Sequence, residues 1–207
     1  MAKKRVRDKE QKIAKIIQTF LNLIEKNGYD KVSTNHIADK ARVAIGTIYK
    51  YFPKGKIDIL KTMFKMGIER KMNDEIIPRL EILNIDELRE SEYYRNLLLH
   101  IIDEHHKGKF IVKAIESECL VNKSFYSELR ELLLIETNKD FDLIEYFLPD
   151  AEKYIEDHEK KIYRISRLKE LLIHRHILFP DLFESDEECA NIIIELVIAL
   201  IKYYLRK

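Results

Sequence analysis

One short predicted helix carries side chains that can contact nucleic acid. Gly46 and Thr47 are small enough to let a helix backbone approach base edges, and Thr47 can hydrogen-bond or touch a thymine methyl group. Tyr49 and Lys50 can reach phosphates, and Lys50 can also reach guanine acceptors. Ile48 is predicted to point the opposite way, into a core. This arrangement is typical of a helix that enters the major groove of DNA.

Further candidate contacts flank this helix. Lys56 begins the next predicted helix, where free N–H groups and the helix dipole already favour an anion, so its ammonium could reinforce a phosphate clamp. On the preceding helix, Asn35 and His36 occupy a polar face that fits DNA or solvent equally well. Ile45 could contact thymine methyls or pack. The predicted DNA-binding residues are Ser33, Asn35, His36, Ala44, Ile45, Gly46, Thr47, Tyr49, Lys50 and Lys56.

Three short helices are predicted to position these residues. The first begins near Asp8, carries apolar residues at spacings of three and four, and ends at Gly28. Ser33 caps the second helix. The third runs from near Ala44 to the residue before Pro53. Two helices joined by a tight turn and braced by a third form a helix-turn-helix module.

The net charge of +1 conceals an uneven distribution of charge. Residues 1–56 carry 14 Lys and Arg against 5 Asp and Glu, a balance of +9, which leaves −8 for residues 57–207. Concentrated positive charge in a small module is expected for phosphate binding. The basic stretch 3–7 before the first predicted helix could follow the phosphates or form a solubilising tail.

The rest of the chain is predicted to be helical, because it has few Gly and Pro residues and no alternating strand pattern. Helices are predicted to be interrupted at Pro78, Gly108, Asn122, Pro149 and Pro180. Phosphate-binding loops, zinc-spaced Cys and His residues, and nucleophile motifs do not occur. We therefore predict an all-α protein without enzymatic activity, metal or cofactor, with domains at 1–56 and 57–207.

The last predicted helix is apolar around most of its circumference. From Cys189 to Leu205 only Asn191, Glu195 and Lys202 are polar, on one narrow strip. Such a helix is buried on two sides, and a second subunit could cover one of them. A membrane span is a poor alternative because the segment is short and interrupted by charges. The predicted dimer interface comprises Leu168, Leu172, Phe179, Ile193, Leu196, Val197, Leu200 and Tyr204.

The N-terminal pattern resembles the TetR-type (tetracycline-repressor-like) transcription regulators. The resemblance covers roughly residues 8–65 and rests on Ser33, Ile37-Ala38, Val43, the Gly46-Thr47-Ile48-Tyr49-Lys50-Tyr51-Phe52 run and Lys56. It implies a homodimeric regulator, usually a repressor, that binds a palindromic operator and is released by a small effector. Two residues depart from the pattern: Arg42 replaces a turn glycine, and Ala44 replaces a capping serine.

The sequence gives less information about the residues that bind the effector than about those that bind DNA. His105 and His176 extend apolar stripes and could line a cavity. Histidines whose hydrogen bonds are satisfied within a core or an interface fit the same pattern. The resemblance implies a lipophilic effector, such as a drug, a fatty acyl derivative or an aromatic compound. The alternative function is a helical small-molecule-binding or enzymatic protein whose basic module binds another polyanion. Two widely separated cysteines and the lack of a signal peptide pattern indicate a cytoplasmic protein.

Overall fold

A computed structural model describes residues 2–73, 85–132 and 157–205. In these ranges every regular element is helical, which confirms the predicted all-α fold. Two short 3-10 turns occupy Tyr29–Lys31 and Ile85–Glu90. The α-helices are α1 Ala2–Asn27, α2 Thr34–Ala41, α3 Ile45–Tyr51, α4 Lys56–Asn73, α5 Glu92–Lys107, α6 Lys109–Val121, α7 at 123–132, α8 His158–Leu178 and α9 Asp186–Leu205.

The first helix begins earlier than the sequence predicts. It starts at Ala2, so the basic stretch 3–7 is helical rather than an arm that precedes the helix, and Asp8 is not its cap. Residues 2–7 contain no Gly or Pro, and most of them are good helix formers, so nothing ends the helix before Asp8. At the other end, Gly28 takes a positive φ of 79° and terminates the helix as predicted.

Two compact units divide the chain, and the first is larger than the predicted domain 1–56. It comprises Met1–Asn73 together with Phe110–Leu129. Its core is formed by α1 to α4 with α6 and α7, because Phe20, Ile37 and Ile48 share one cluster with Ala114 and Phe125. The three-helix module is therefore covered by helices from beyond residue 56.

The turn between α2 and α3 has the conformation that the family pattern requires. The backbone of Arg42 adopts the left-handed conformation, with φ 53° and ψ 49°. The TetR-type regulators that the sequence resembles usually have glycine at this position. Its N–H bonds to the Ala38 and Asp39 carbonyls. Ala44, at the N-cap of α3, makes no side-chain capping bond. Arg42 and Ala44, the two departures from the family pattern, are therefore each expected to lower the stability of the protein.

We expect Arg42→Gly to stabilise the protein by about 0.5–1 kcal/mol. A non-glycine residue pays about 1–2 kcal/mol in the left-handed region, and the flexibility of glycine in the unfolded chain offsets part of that gain. Urea unfolding followed by circular dichroism measures the difference. Arg42→Lys is the control, since it keeps a Cβ and a positive charge and should leave stability unchanged. A less stable Arg42→Gly protein would contradict this account.

The second unit comprises Asp74–Lys109 and Arg130–Lys207, described here at 85–109, 130–132 and 157–205. Its core joins α5, α8 and α9, with Leu98, Ile102, Ile173 and Ile193 all almost completely buried. Ser185 caps α9 by accepting a hydrogen bond from the Glu188 N–H at 3.1 Å. The predicted breaks at Gly108, Asn122 and Pro180 are confirmed, whereas those at Pro78 and Pro149 lie outside the described residues.

None of the helices in the described part of the chain combines the length and the apolar character needed to cross a membrane.

Candidate nucleic-acid interface

Helix α2 begins at a satisfied cap and is held against the turn that precedes α4. Ser33 Oγ accepts a hydrogen bond from the His36 N–H at 3.1 Å, as a capping serine should. Asn35 is exposed and His36 is half-buried. Gly55 adopts a φ of 63°, and a Cβ there would lie 2.6 Å from Thr34 Oγ1. The glycine therefore allows this turn to lie close to the start of α2.

Helix α3 has one buried face and one exposed face. Ile48 is completely buried, which anchors the helix to the core as predicted. Tyr49 is half exposed, and Lys50 also faces solvent. A Cβ added at Gly46 would have no atom within 4 Å, so internal packing does not require a glycine there. The small residue instead leaves the helix backbone uncovered on its outer side.

The remaining predicted contact residues of α3 lie on or beside this exposed surface. Ala44 and Ile45 are exposed, and Thr47 is half-buried. With Gly46, Tyr49 and Lys50 they form a continuous patch of small, apolar, aromatic and basic groups, which we call the reading face. Such a patch can contact base edges in a groove while its neighbouring cations contact phosphates.

Lys56 makes contacts within its own unit at the start of α4. Its Nζ donates a hydrogen bond to the Tyr29 carbonyl oxygen at 3.2 Å and lies 4.1 Å from the centre of the Tyr29 ring. The ammonium is half-buried and held in one place. A phosphate contact by Lys56 stays a prediction. It would use the N–H donors of the ammonium that do not bond to the Tyr29 carbonyl.

Two neighbouring lysines share one carboxylate. Lys54 and Lys61 bond to the two oxygens of Glu128 on α7 at 2.8 and 2.6 Å. Hydrogen bonds from Lys54 and Lys61 lower the pKa of Glu128 to about 2, so the carboxylate stays charged. These cations are engaged in the structure and add less positive potential beside the reading face than the sequence count suggests.

The comparisons with known proteins agree with this geometry. Residues 16–63 match the family model described as "Bacterial regulatory proteins, tetR family", and this segment contains α2, α3 and the reading face. This segment of the chain is therefore similar to the TetR family of bacterial regulatory proteins.

Relatives extend the match beyond the module. The chain is 35% identical over 100 residues to the fatty acid metabolism regulator protein of Bacillus subtilis, covering 48% of this chain and 46% of that protein. A TetR transcriptional regulator from Rhodococcus sp. RHA1 has the same fold, with a TM-score of 0.61 and 16% identity over 93% of this chain and 97% of the other. The chain thus aligns with about half the length of its curated relative and nearly all of its structural neighbour.

A further solved structure is that of Thermus thermophilus FadR, a TetR-family transcriptional repressor, in complex with lauroyl-CoA. It aligns with a TM-score of 0.52 and 15% identity over 93% of both chains. At that identity the likeness establishes a shared TetR-type fold.

The two histidines predicted to bind an effector lie in separate clusters of the second unit. His105 contacts Glu170, which also lies beside His174. His176 is buried and bonds to Asp186, which His106 also contacts. Burial would raise the pKa of Asp186, but the hydrogen bonds from both histidines outweigh it and lower the pKa. The sequence interpretation missed Glu170 and His174, although their spacing of four places them on one side of α8.

The residues predicted to form a dimer interface divide into three groups. Leu168 on α8 and Phe179, which caps the end of α8, are exposed. Leu172, Leu196, Leu200 and Tyr204 are partly buried. Ile193 and Val197 are buried in the core of their own subunit and have no surface left for a partner, because they face inward from α9. Among the described residues of α8 and α9, the exposed large apolar residues that the prediction did not include are Leu171, Ile192 and Tyr203.

The two cysteines are well separated and unreactive in character. Cys189 is buried and Cys119 is half-buried, and neither forms a disulfide. Burial raises the pKa of both thiols to about 11, so little thiolate forms at neutral pH.

Proposed function

We propose that this protein is a ligand-responsive transcriptional repressor that binds a palindromic operator as a homodimer. The observation that carries the proposal is the reading face: small, aromatic and basic residues exposed on a helix whose other side is anchored by Ile48. A helix of this kind in a helix-turn-helix module reads bases from the major groove. The match of residues 16–63 to the TetR family supports the same function.

The proposed homodimer rests on the exposed apolar residues of two neighbouring helices. Leu168 and Leu171 on α8 and Phe179 at its C-cap are exposed, and Ile192 and Tyr203 are exposed on α9. These helices pack against each other in the second unit, so a second copy could cover both and form a four-helix interface. A dimer would present two reading faces, which is the reason that the operator is expected to be an inverted repeat.

We propose a lipophilic effector of the fatty acyl class. The support is the similarity to a fatty acid metabolism regulator over 100 residues, a match longer than the segment 16–63 alone. An effector that binds the free protein more tightly than the DNA-bound protein lowers operator affinity by the ratio of the two affinities. The alternative, a helical binding protein or enzyme with another polyanionic partner, has less support because the family match falls on the reading face.

The proposal is tested by selecting binding sites from a random pool of duplex DNA with the purified full-length chain. We expect an enriched inverted repeat, bound at about 10 nM or tighter at physiological salt, with affinity that falls steeply as salt increases. Adding lauroyl-CoA should weaken binding, while coenzyme A alone should not. Native mass spectrometry should show a dimer. Enrichment of no sequence would overturn the proposal, and enrichment without an effect of acyl-CoA would overturn only the effector class.

A further inference from the structure

Three side chains in the second unit converge in a way that the DNA-binding function does not use. His105 lies on α5, and Glu170 and His174 lie one turn apart on α8. The Nε2 atoms of His105 and His174 are 3.3 and 3.4 Å from the same carboxylate oxygen, Glu170 Oε2. The three side chains are mostly buried, with 11%, 14% and 21% of their surface exposed for His105, Glu170 and His174. They form a compact, largely desolvated group, which we call the His105 cluster.

The tautomer of His105 makes this arrangement chemically specific. Its Nδ1 lies 2.7 Å from the Ile101 carbonyl oxygen, and because a carbonyl can only accept, Nδ1 donates. In a neutral ring Nε2 then carries a lone pair, which faces the Glu170 carboxylate at 3.3 Å. Two acceptors at that distance repel unless a proton or a metal cation lies between them, and either one can occupy this position. The backbone bond is also the kind of outer contact that orients a metal-binding histidine.

The distances in this group are longer than those in the second cluster, and they fit the spacing of metal ligands. Ligand atoms about 2.0–2.2 Å from a tetrahedral zinc ion are about 3.3–3.5 Å apart, and the two distances to Glu170 Oε2 match that edge. The ligand atoms of all three residues lie within 4.8 Å of one another. In the second cluster, Asp186 Oδ1 lies 2.7 Å from His176 Nε2 and 3.0 Å from His106 Nε2, which are hydrogen-bond lengths.

We propose that His105, Glu170 and His174 bind a divalent transition-metal ion of the zinc type. Two imidazole nitrogens and one carboxylate oxygen suit Zn²⁺ and are a poor set for Mg²⁺ or Ca²⁺, which take oxygen ligands. Three protein ligands leave the fourth tetrahedral position to water or to an anionic group of another molecule. The bound ion would link α5 to α8 within the second unit. This site replaces the expectation, drawn from the sequence, that the chain holds no metal.

The test uses tag-free, full-length protein stripped with a chelator and titrated with Co²⁺ and then Zn²⁺. We expect the visible absorption of tetrahedral cobalt to saturate and then to disappear as zinc displaces it. His105→Gln, Glu170→Gln and His174→Gln should each weaken binding at least about 100-fold, since each removes one of three ligands. His100→Gln is the matched control, because His100 is an exposed histidine of α5 that belongs to neither cluster. His106→Gln tests the second cluster and should also bind as wild type.

Two measurements on the wild-type chain keep the proposal testable if a variant fails to fold. X-ray absorption of the zinc-loaded protein should show two imidazole ligands and no sulfur, and zinc should raise the melting temperature. The proposal is overturned if the wild type gives neither a cobalt spectrum nor a thermal shift, or if the three cluster variants bind as tightly as the His100→Gln control. It is also overturned if His106→Gln is the variant that loses the metal. None of these results depends on DNA binding, so they leave the proposed regulatory function untouched.

Discussion

Replacing both Tyr49 and Lys50 by alanine is expected to weaken binding to the selected operator by at least about 30-fold. Each specific contact at a DNA interface contributes about 1–3 kcal/mol, so losing two costs at least about 2 kcal/mol. Both side chains are exposed, and Ile48, which precedes them, remains buried in the core. The double variant should therefore unfold at the same urea concentration as the wild type. Fluorescence anisotropy with labelled operator DNA measures the loss.

The helix α7 provides a matched control for this change. Tyr126→Ala with Lys123→Ala removes one exposed tyrosine and one exposed lysine, so the change in charge and in aromatic surface is the same. These residues lie outside the three-helix module, and the control should keep its affinity. Lys50→Ala alone should lower the salt dependence by one phosphate contact, whereas Tyr49→Ala should not. Full sequence-specific affinity in the double variant would show that the reading face is misassigned.

Local signals in the sequence were sufficient to predict the three-helix module. Gly28 ends α1, Ser33 caps α2, and Ile48 is buried, all as expected from their types and positions. These features depend on neighbours within one or two helical turns, where capping and periodicity determine the outcome. The start of α1 was placed too late because the prediction relied on Asp8 as a cap, while the residues before it continue the helix equally well.

Features that depend on distant residues could not be predicted in the same way. Helix α9 is apolar on nearly every side, so its sequence gives little indication of which face its own subunit buries, and Ile193 and Val197 lie on that inner face. The His105 cluster has the same limitation. Glu170 and His174 are recognisable as neighbours on one helix, but His105 is 65 residues earlier and only the packing of α5 on α8 brings it close.

Tyr29 makes three kinds of contact in the first unit, and one of them links the DNA-binding module to α6. Its hydroxyl donates to Glu118 Oε2 at 2.6 Å, and Asn122 donates to the other oxygen of Glu118 at 2.9 Å. Its ring lies edge-on to Phe20 and beneath the Lys56 ammonium, which also bonds to the Tyr29 carbonyl. Burial, the hydrogen bond to Glu118 and its charge raise the pKa of Tyr29, so the hydroxyl remains a donor. This residue therefore joins the start of α4 to a helix beyond residue 56.

We expect Tyr29→Phe to destabilise the protein by about 1.5–3 kcal/mol, since a buried hydrogen bond to a charged group contributes about that much. The ring and its contacts with Phe20 and Lys56 are kept, so the loss isolates the hydroxyl. Glu118, which is only 7% exposed, would keep a single described donor, Asn122. Urea unfolding measures the change, and Tyr126→Phe, at an exposed tyrosine of α7, should stay within about 0.5 kcal/mol of the wild type.

A double-mutant cycle with Glu118→Gln tests whether the Tyr29 hydroxyl acts through Glu118. The two changes should be less than additive, because either one weakens the same charge-assisted bond. Operator affinity adds a functional readout: Tyr29→Phe keeps the ring and the carbonyl that contact Lys56, so the operator affinity of the folded protein should not change. If Tyr29→Phe is as stable as the wild type and additive with Glu118→Gln, the bond between the module and α6 contributes nothing to the first unit. The cover that α6 and α7 give the module would then depend on apolar contacts, through Ala114 and Phe125, and on the bonds of Lys54 and Lys61 to Glu128.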